Sequence, residues 1–547
     1  MKHKKRNNRV LAHPIYNKDK GRYALLLLLP LMVSMVGASS ATANTGNGGV
    51  PKVVVNILID QLRSDYLSAF MPLYGEGGFK KMMAEGSIYT QGEYPHAHVD
   101  QANAAATLAS GTVPSRHGVV ADRWLDRKTL RPAFCVTDRQ YSGLGGGQNG
   151  MSPMHLLVST IGDELKVATG GKSLVYAIAP DPQAAIFSAG HAADAAIWID
   201  NATGLWSSSS YYSAFPTWAT AYNQYYSLPE RLNNIVWEPC SDLVGNFNYF
   251  LSGEMQRPFK HSFKGDSRYV DFKTSALVNE EVTNIAIACV EKSSLGTDGI
   301  TDYLSLAYYA GNFKHLSLNE VSIETQDNYV RLDRSLEKLI KSIEQKVGAG
   351  NALYVLTSTG YVDEENAELS KYRIPTGVFD VKRASSLLNM YLVAIYGQGE
   401  YVEATYGTQI YLNQKLIEER QINLSELLLR AQDLLLQMSG VKDVYTSARL
   451  IGGAWTPEIS KIRGGFAPHL SGDILIEVSP GWTYYNADTN QRQMVRDSYV
   501  PFPIIFYGKG VSAATYNMPT TVDYIAPTLS RAMRIRAPNA CSLRPLF

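Results

Sequence analysis

Histidine is scarce in this chain, ten residues in 547, so a segment that places two of them within three positions stands out. His96-Ala-His98-Val-Asp100 sets two imidazoles and a carboxylate on alternate residues. In an extended segment alternate side chains share one face, and these three would then suit a single metal ion. The other reading is a polar loop. Asp60 is a second chemical candidate, because it closes the apolar run VVVNILID. It reads either as an acid delivered to a catalytic edge or as a cap for a helix over Gln61–Tyr66.

These residues need a scaffold, and the hydrophobic pattern supplies one. VVVNILID is nearly continuous and rich in β-branched residues, the mark of a strand buried on both faces in a parallel sheet. Ser173–Ile178, Tyr303–Tyr309, Ala352–Thr357 and Pro503–Tyr507 read the same way. Between them, Tyr329, Leu332, Leu336, Leu339, Ile340, Ile343 and Val347 repeat at helical spacing and stop at Gly348. Asn423 to Met438 is a second such helix, with Gly440 as its cap. Strands alternating with helices predict an α/β fold, a largely parallel sheet covered on both faces. Gly143–Gly150 (GLGGGQNG) lacks the framing and the Lys-Ser/Thr of a phosphate cradle and reads as a linker.

Composition narrows the function classes. The formal charge of +1 conceals an asymmetry: eight of the 51 Lys and Arg, but one of the 50 Asp and Glu, fall in residues 1–43. The rest of the chain therefore carries a formal −6, which speaks against a nucleic-acid binder. The basic stretch, the apolar run 24–38 and Ala41-Thr42-Ala43 form a secretory signal peptide, 1–43. A membrane anchor is the alternative, but the run falls short of the ~20 residues a span needs. Residues 44–50 read as a flexible leader, and the exported remainder is expected to be soluble and periplasmic. Its four cysteines allow up to two disulfides in an oxidising compartment. Residues 200–275, dense in Tyr, Trp, Ser and Asn, read as an inserted cap or substrate-side segment.

The blocks LIDQLRSDYL (58–67), ASGTVPSRHGVVADRWLDR (109–127), SPMHLLVSTIGDELKVAT (152–169), AGHAADAAIW (189–198) and VDYIAPTLSRAMRIRAPNACSLRPL (522–546) are distinctive in combination. Together they resemble the alkaline phosphatase superfamily, within it the secreted PafA-type phosphate monoesterases of the type I phosphodiesterase and nucleotide pyrophosphatase branch. The resemblance runs from Val53 to the C-terminus and implies an alkaline-phosphatase-like α/β sandwich over 51–547. It also implies two metal ions, usually zinc, about 4 Å apart, which activate a Thr or Ser nucleophile. Two dications need about four carboxylates, with imidazoles filling the remaining positions.

Carried onto this sequence, the resemblance matches Asp60 to the first ligand. The nucleophile position holds Gln101, whose amide cannot become an alkoxide, and Thr107 is offset from it by six residues. The cationic clamp, Lys-x-Arg in the family, reads Asp181-Pro182-Gln183, and a further phosphate contact, an Asn, reads Asp122. An acid and an amide in place of two cations would repel an anionic substrate. The second ligand pair reads Gly311-Asn-Phe-Lys-His315, keeping only His315. The third reads Thr359-Gly360, and the last falls in Asp488–Met494, which has no histidine.

The expectation is an exported pseudophosphatase with a binding or envelope-assembly role. No cofactor is expected, zinc being the metal if the chain is active. The alternative is a metal-dependent phosphate or sulfate ester hydrolase rebuilt on Asp60, His96, His98, Asp100 and His315. The expected partner is an envelope protein or a glycan, with Tyr211, Tyr212, Trp218, Tyr222, Tyr225 and Tyr226 as anchors. An ordinary buried core is the other reading of that aromatic stripe.

Overall fold

Strand Val53–Asp60 lies at the centre of the molecule, with every one of its residues buried. The computed structural model describes residues 49–244, 259–316, 322–362, 373, 375–486, 491–494 and 500–547. The signal-peptide and most of the leader assignment (1–48) and part of the Asp488–Met494 stretch lie outside them. Val53, Val55, Ile57 and Ile59 point into one core, and Val54 and Leu58 into another on the opposite face. A strand sandwiched in this way must be apolar on both sides, which is why its sequence does not alternate.

Around it runs an 11-stranded sheet. Asp302–Tyr309 and Ala352–Ser358 flank the central strand in parallel, and Val175–Ala179 and Ala195–Ile199 extend the parallel set. Phe502–Gly508 joins Ala352–Ser358 antiparallel and is followed by Ser87–Glu93 and Ala514–Thr521. Five parallel strands thus present their C-terminal ends along one edge. Helices cover both faces, including Ile323–Val347, which ends at Gly348 as the spacing predicts. The mixed, mostly parallel sheet agrees with the α/β expectation.

The structure bears on three local readings. The glycine-rich 143–150 segment is no linker: it turns between strands Thr137–Gly145 and Asn149–Met151 at the sheet edge. Residues 200–275, where described, share the main core, since Trp206, Trp218, Tyr222, Trp237, Tyr269 and Phe272 join the cluster under the central strand. All four cysteines are free thiols, with Cys135 and Cys289 buried and unbridged.

A second core lies in the later part of the chain. Strands Val402–Tyr406, Gln409–Leu412, Ile474–Val478 and Val441–Thr446 form a four-stranded antiparallel sheet. Helices Val381–Tyr396 and Leu424–Leu435 pack with it around Leu388, Leu392, Leu427 and Ile476. The helix expected over 423–438 therefore serves this smaller sheet, and it ends at Leu435.

Candidate functional site

The parallel strand ends carry the candidate residues. Asp60 is 5% exposed, and its carboxylate Oδ1 accepts a 2.8 Å hydrogen bond from the Thr359 hydroxyl. The same hydroxyl oxygen accepts the Gln61 amide at 2.9 Å. Asp60 is not a helix cap, because the next helix, Ser64–Ala69, begins after Arg63. Behind it, the buried Tyr94 phenol donates to the Ser358 carbonyl at 3.0 Å. Burial, and then the Asp60 charge, push that phenol well above its ordinary pKa.

The neighbouring positions where the resemblance implies ligands are crowded. A Cβ at Gly311 would lie 2.7 Å from the Tyr309 hydroxyl and 2.8 Å from Cδ of Gln61. Gly360 has φ +69°, and a Cβ there would lie 2.5 Å from the Phe502 ring and 3.0 Å from that of Tyr94. Real Cβ atoms essentially never approach heavy atoms below 3.0 Å. Aromatic rings, a glutamine and a threonine fill this space.

Helix Gln101–Ser110 enters the same region, buried along all ten residues. Asp100 caps it: Oδ1 accepts the Asn103 amide at 3.0 Å, while Oδ2 accepts the Asp122 amide at 2.7 Å. The Asn103 side chain returns a bond to the Asp100 amide, completing a capping box. Gln101 and Gln183 meet side chain to side chain, the Gln183 amide donating to Gln101 Oε1 at 2.6 Å. Asp181 does not stand as a bare negative charge. Lys273 Nζ, on a side chain only 5% exposed, lies 3.0 Å from its Oδ1. The repulsion expected from the sequence is therefore largely neutralised from within.

The His96, His98, Asp100 set does not converge. His98 has φ +55°, so the segment bends and alternate side chains lose their common face. The His96 ring turns inward to the Thr107 hydroxyl at 3.2 Å, and His117 meets the same hydroxyl at 3.1 Å. Burial lowers the His96 pKa to about 4 and that of His117 well below its usual value. His98 is exposed. His315 is exposed beyond the strand end, with Nδ1 3.3 Å from the Tyr309 hydroxyl. Among the described residues, no three His, Cys, Asp or Glu side chains could hold a metal ion together. The filled space at Gly311 and Gly360 does not fit a two-zinc centre of the kind that the resemblance implies.

Sequence reasoning missed three residues that matter here. Lys273 arrives from a distant segment with no motif, Tyr94 precedes the histidine cluster unnoticed, and Thr359 reads as an absence rather than as a hydrogen-bonding partner. Only the hydroxyl at 359, following a buried strand as Asp60 does, offered a signal.

The fold and the strand-end arrangement define an alkaline-phosphatase-like α/β scaffold. The profile of the type I phosphodiesterase / nucleotide pyrophosphatase family matches residues 54–499. The chain belongs to that family. It is 26% identical over 545 residues to alkaline phosphatase PafA of Elizabethkingia meningoseptica, covering 95% of this chain and 98% of that one. It is 28% identical over 510 residues to alkaline phosphatase PhoV of Synechococcus elongatus, covering 89% and 91%. The crystal structure of wild-type PafA superposes with a TM-score of 0.78 at 26% identity, over 91% of this chain and 98% of that one. A solved PafA variant carries substitutions at a threonine, an asparagine, a lysine and an arginine. The first two have the separation of Gln101 and Asp122, and the last two that of Asp181 and Gln183.

Proposed function

We propose that this chain is an exported, catalytically silent member of its family, a pseudophosphatase that keeps the scaffold as a binding or assembly component of the envelope. The observation that supports this reading most directly is steric. At Gly311 and Gly360, where the family resemblance calls for ligands, a side chain would collide with Gln61, Tyr309, Tyr94 and Phe502. Thr359 is bonded to Asp60 instead of supplying a second carboxylate. Near the former clamp, the Asp181–Lys273 pair and the Gln101–Gln183 amides leave no net positive charge for a phosphate.

A binding role needs a surface, and the aromatic segment offers one. Tyr225 and Tyr226 are 73% and 61% exposed, whereas Tyr212, Trp218 and Tyr222 are buried in the core. An open groove of about 460 Å³ nearby is lined by Leu205, Phe215, Thr220, Asn223 and Gln224, with Gly145. Uncharged amides beside aromatic faces suit a neutral glycan or a protein segment.

The second reading is a working metal-dependent ester hydrolase, rebuilt around Asp60, His98 and His315. It is favoured by relatives that carry the name alkaline phosphatase along nearly their whole length. The purified protein, loaded with zinc and assayed on p-nitrophenyl phosphate and its diester, separates the two. The silent reading expects substoichiometric zinc, turnover equal to that of an Asp60→Asn/His98→Ala variant, and an unchanged melting point after chelation. Stoichiometric zinc with turnover that the variant loses establishes the hydrolase.

A further inference from the structure

Charge is not spread evenly over this molecule. Beyond residue 43 the chain is formally −6, yet residues 524–547 contain four arginines and no Asp or Glu. Arg531, Arg534, Arg536 and Arg544 are all exposed. Two packed neighbours share the bias. Residues 109–121 have no acid and expose Arg116. Residues 152–172 expose Lys172 and bury both of their acids, Asp163 and Glu164.

Contacts knit the three segments into one region of the surface. Helix Ile525–Met533 packs on helices Gln101–Ser110 and Ile161–Ala168. The Leu157 amide donates to the His117 carbonyl at 2.9 Å. Ser159 and Asn539 clasp each other, each amide bonded to the other's side-chain oxygen, at 3.1 and 2.9 Å. The Leu546 amide donates to the Thr528 hydroxyl at 2.9 Å, which lays the chain around Arg544 alongside the helix that carries Arg531. A helix C-terminus attracts cations, which accounts for Arg531 and Arg534 but not for Arg116, Arg536 or Arg544. Among the described residues, no carboxylate pairs with Arg531, Arg536 or Arg544. Apolar side chains stand in the same region: Met154, Leu157 and Val167 are 51%, 63% and 76% exposed.

We infer that this region docks on the surface of an anionic phospholipid bilayer. Each guanidinium can fork two hydrogen bonds onto a lipid phosphate. Met154, Leu157 and Val167 then enter the boundary between head groups and acyl chains. The mixture selects the occupant: a nucleic acid offers phosphates but nothing for the apolar side chains, and an anionic bilayer offers both. The acidic remainder of the chain sets the orientation, because a negative surface attracts this region and repels the rest.

Co-sedimentation with vesicles tests the docking, using residues 44–547, which contain every described element and omit the leader's apolar run. Vesicles of phosphatidylcholine with about 30% phosphatidylglycerol should bind the protein at about 50 mM salt and release it at about 500 mM. Phosphatidylcholine alone should not bind it. Arg531→Ser/Arg536→Ser/Arg544→Ser should weaken binding roughly a hundredfold at an unchanged melting point. Lys382→Ser/Arg383→Ser/Lys415→Ser removes three exposed cations beside the smaller sheet and should leave binding unchanged. Val167→Trp should gain fluorescence quenching, relative to the wild type, on anionic vesicles with brominated acyl chains. Four outcomes each overturn the inference: no preference for the anionic vesicles, equal loss in the two triple variants, no added quenching in Val167→Trp, or duplex DNA bound as tightly at equal phosphate. None of them depends on whether the chain binds zinc or hydrolyses phosphate.

Discussion

Thr359 changes what Asp60 is for. A carboxylate bonded at 2.8 Å to a buried hydroxyl ties two parallel strand ends together. Thr359→Val keeps the shape and removes the hydroxyl, so Asp60 and the Gln61 amide each lose a partner in a buried setting. The expected cost is about 1–3 kcal/mol of folding stability in urea denaturation. Gly360→Ala should cost about 2–4 kcal/mol, because it puts a Cβ on a left-handed backbone and into the Phe502 ring. Wild-type stability in Gly360→Ala would mean that this space is open and would remove the steric support for a silent site. Wild-type stability in Thr359→Val would mean that the hydroxyl ties nothing. That positions 359 and 360 hold Thr and Gly is plain in the sequence. The filling of the space around them is not, since Phe502 and Tyr94 come from distant parts of the chain and no local pattern announces them.

At the scale of elements, the His96–Asp100 segment shows how spacing alone misleads. Alternate polar residues imply a shared face only if the backbone is extended, and His98 at φ +55° breaks that condition. The capping signature Asp100-x-x-Asn103 before an alanine-rich run also stands in the sequence, and it is the one that the fold obeys. Asp100 fixes the entry of helix Gln101–Ser110 and, through the Asp122 amide, the loop after it. Asp100→Ala should therefore lower stability by about 1–3 kcal/mol, more than an exposed cap would. Circular dichroism at the melting transition reads the effect, and a shift no larger than that of a surface cap would deny the second tie. The smaller sheet escaped sequence reading for a related reason. Strands such as Val402–Tyr406 are short and half-buried, so their hydrophobic signal is weak. The main strands are apolar on both faces and were plain.

The whole molecule should record its buried histidines in the pH dependence of its stability. His96 and His117 are held neutral on the two sides of Thr107, with folded pKa values below the unfolded one. Below about pH 6.5 the unfolded chain binds protons that the folded chain refuses, so stability is full above that pH and drains away as pH falls. For His96 the window extends to about pH 4. A shift of that size is worth roughly 3 kcal/mol at completion. The Asp163–His191 pair acts on either side of this window. His191 is raised by its bond to Asp163, so its contribution is complete below about pH 6.5 and fades as pH climbs through the folded value. Asp163 is lowered by the same bond, against its burial, so its contribution holds above about pH 4 and fails only below it. Stability should thus peak near neutrality and fall steeply between about pH 6.5 and 4. Urea unfolding at several pH values measures the slope. His96→Gln/His117→Gln keeps side chains that can bond Thr107 but do not titrate, and should flatten the acid limb. An equally steep limb in that variant would place the acid sensitivity in other groups. The same variant bears on the metal question, since a neutral imidazole turned inward to Thr107 is part of the helix packing and is not presented to a cation in the cleft.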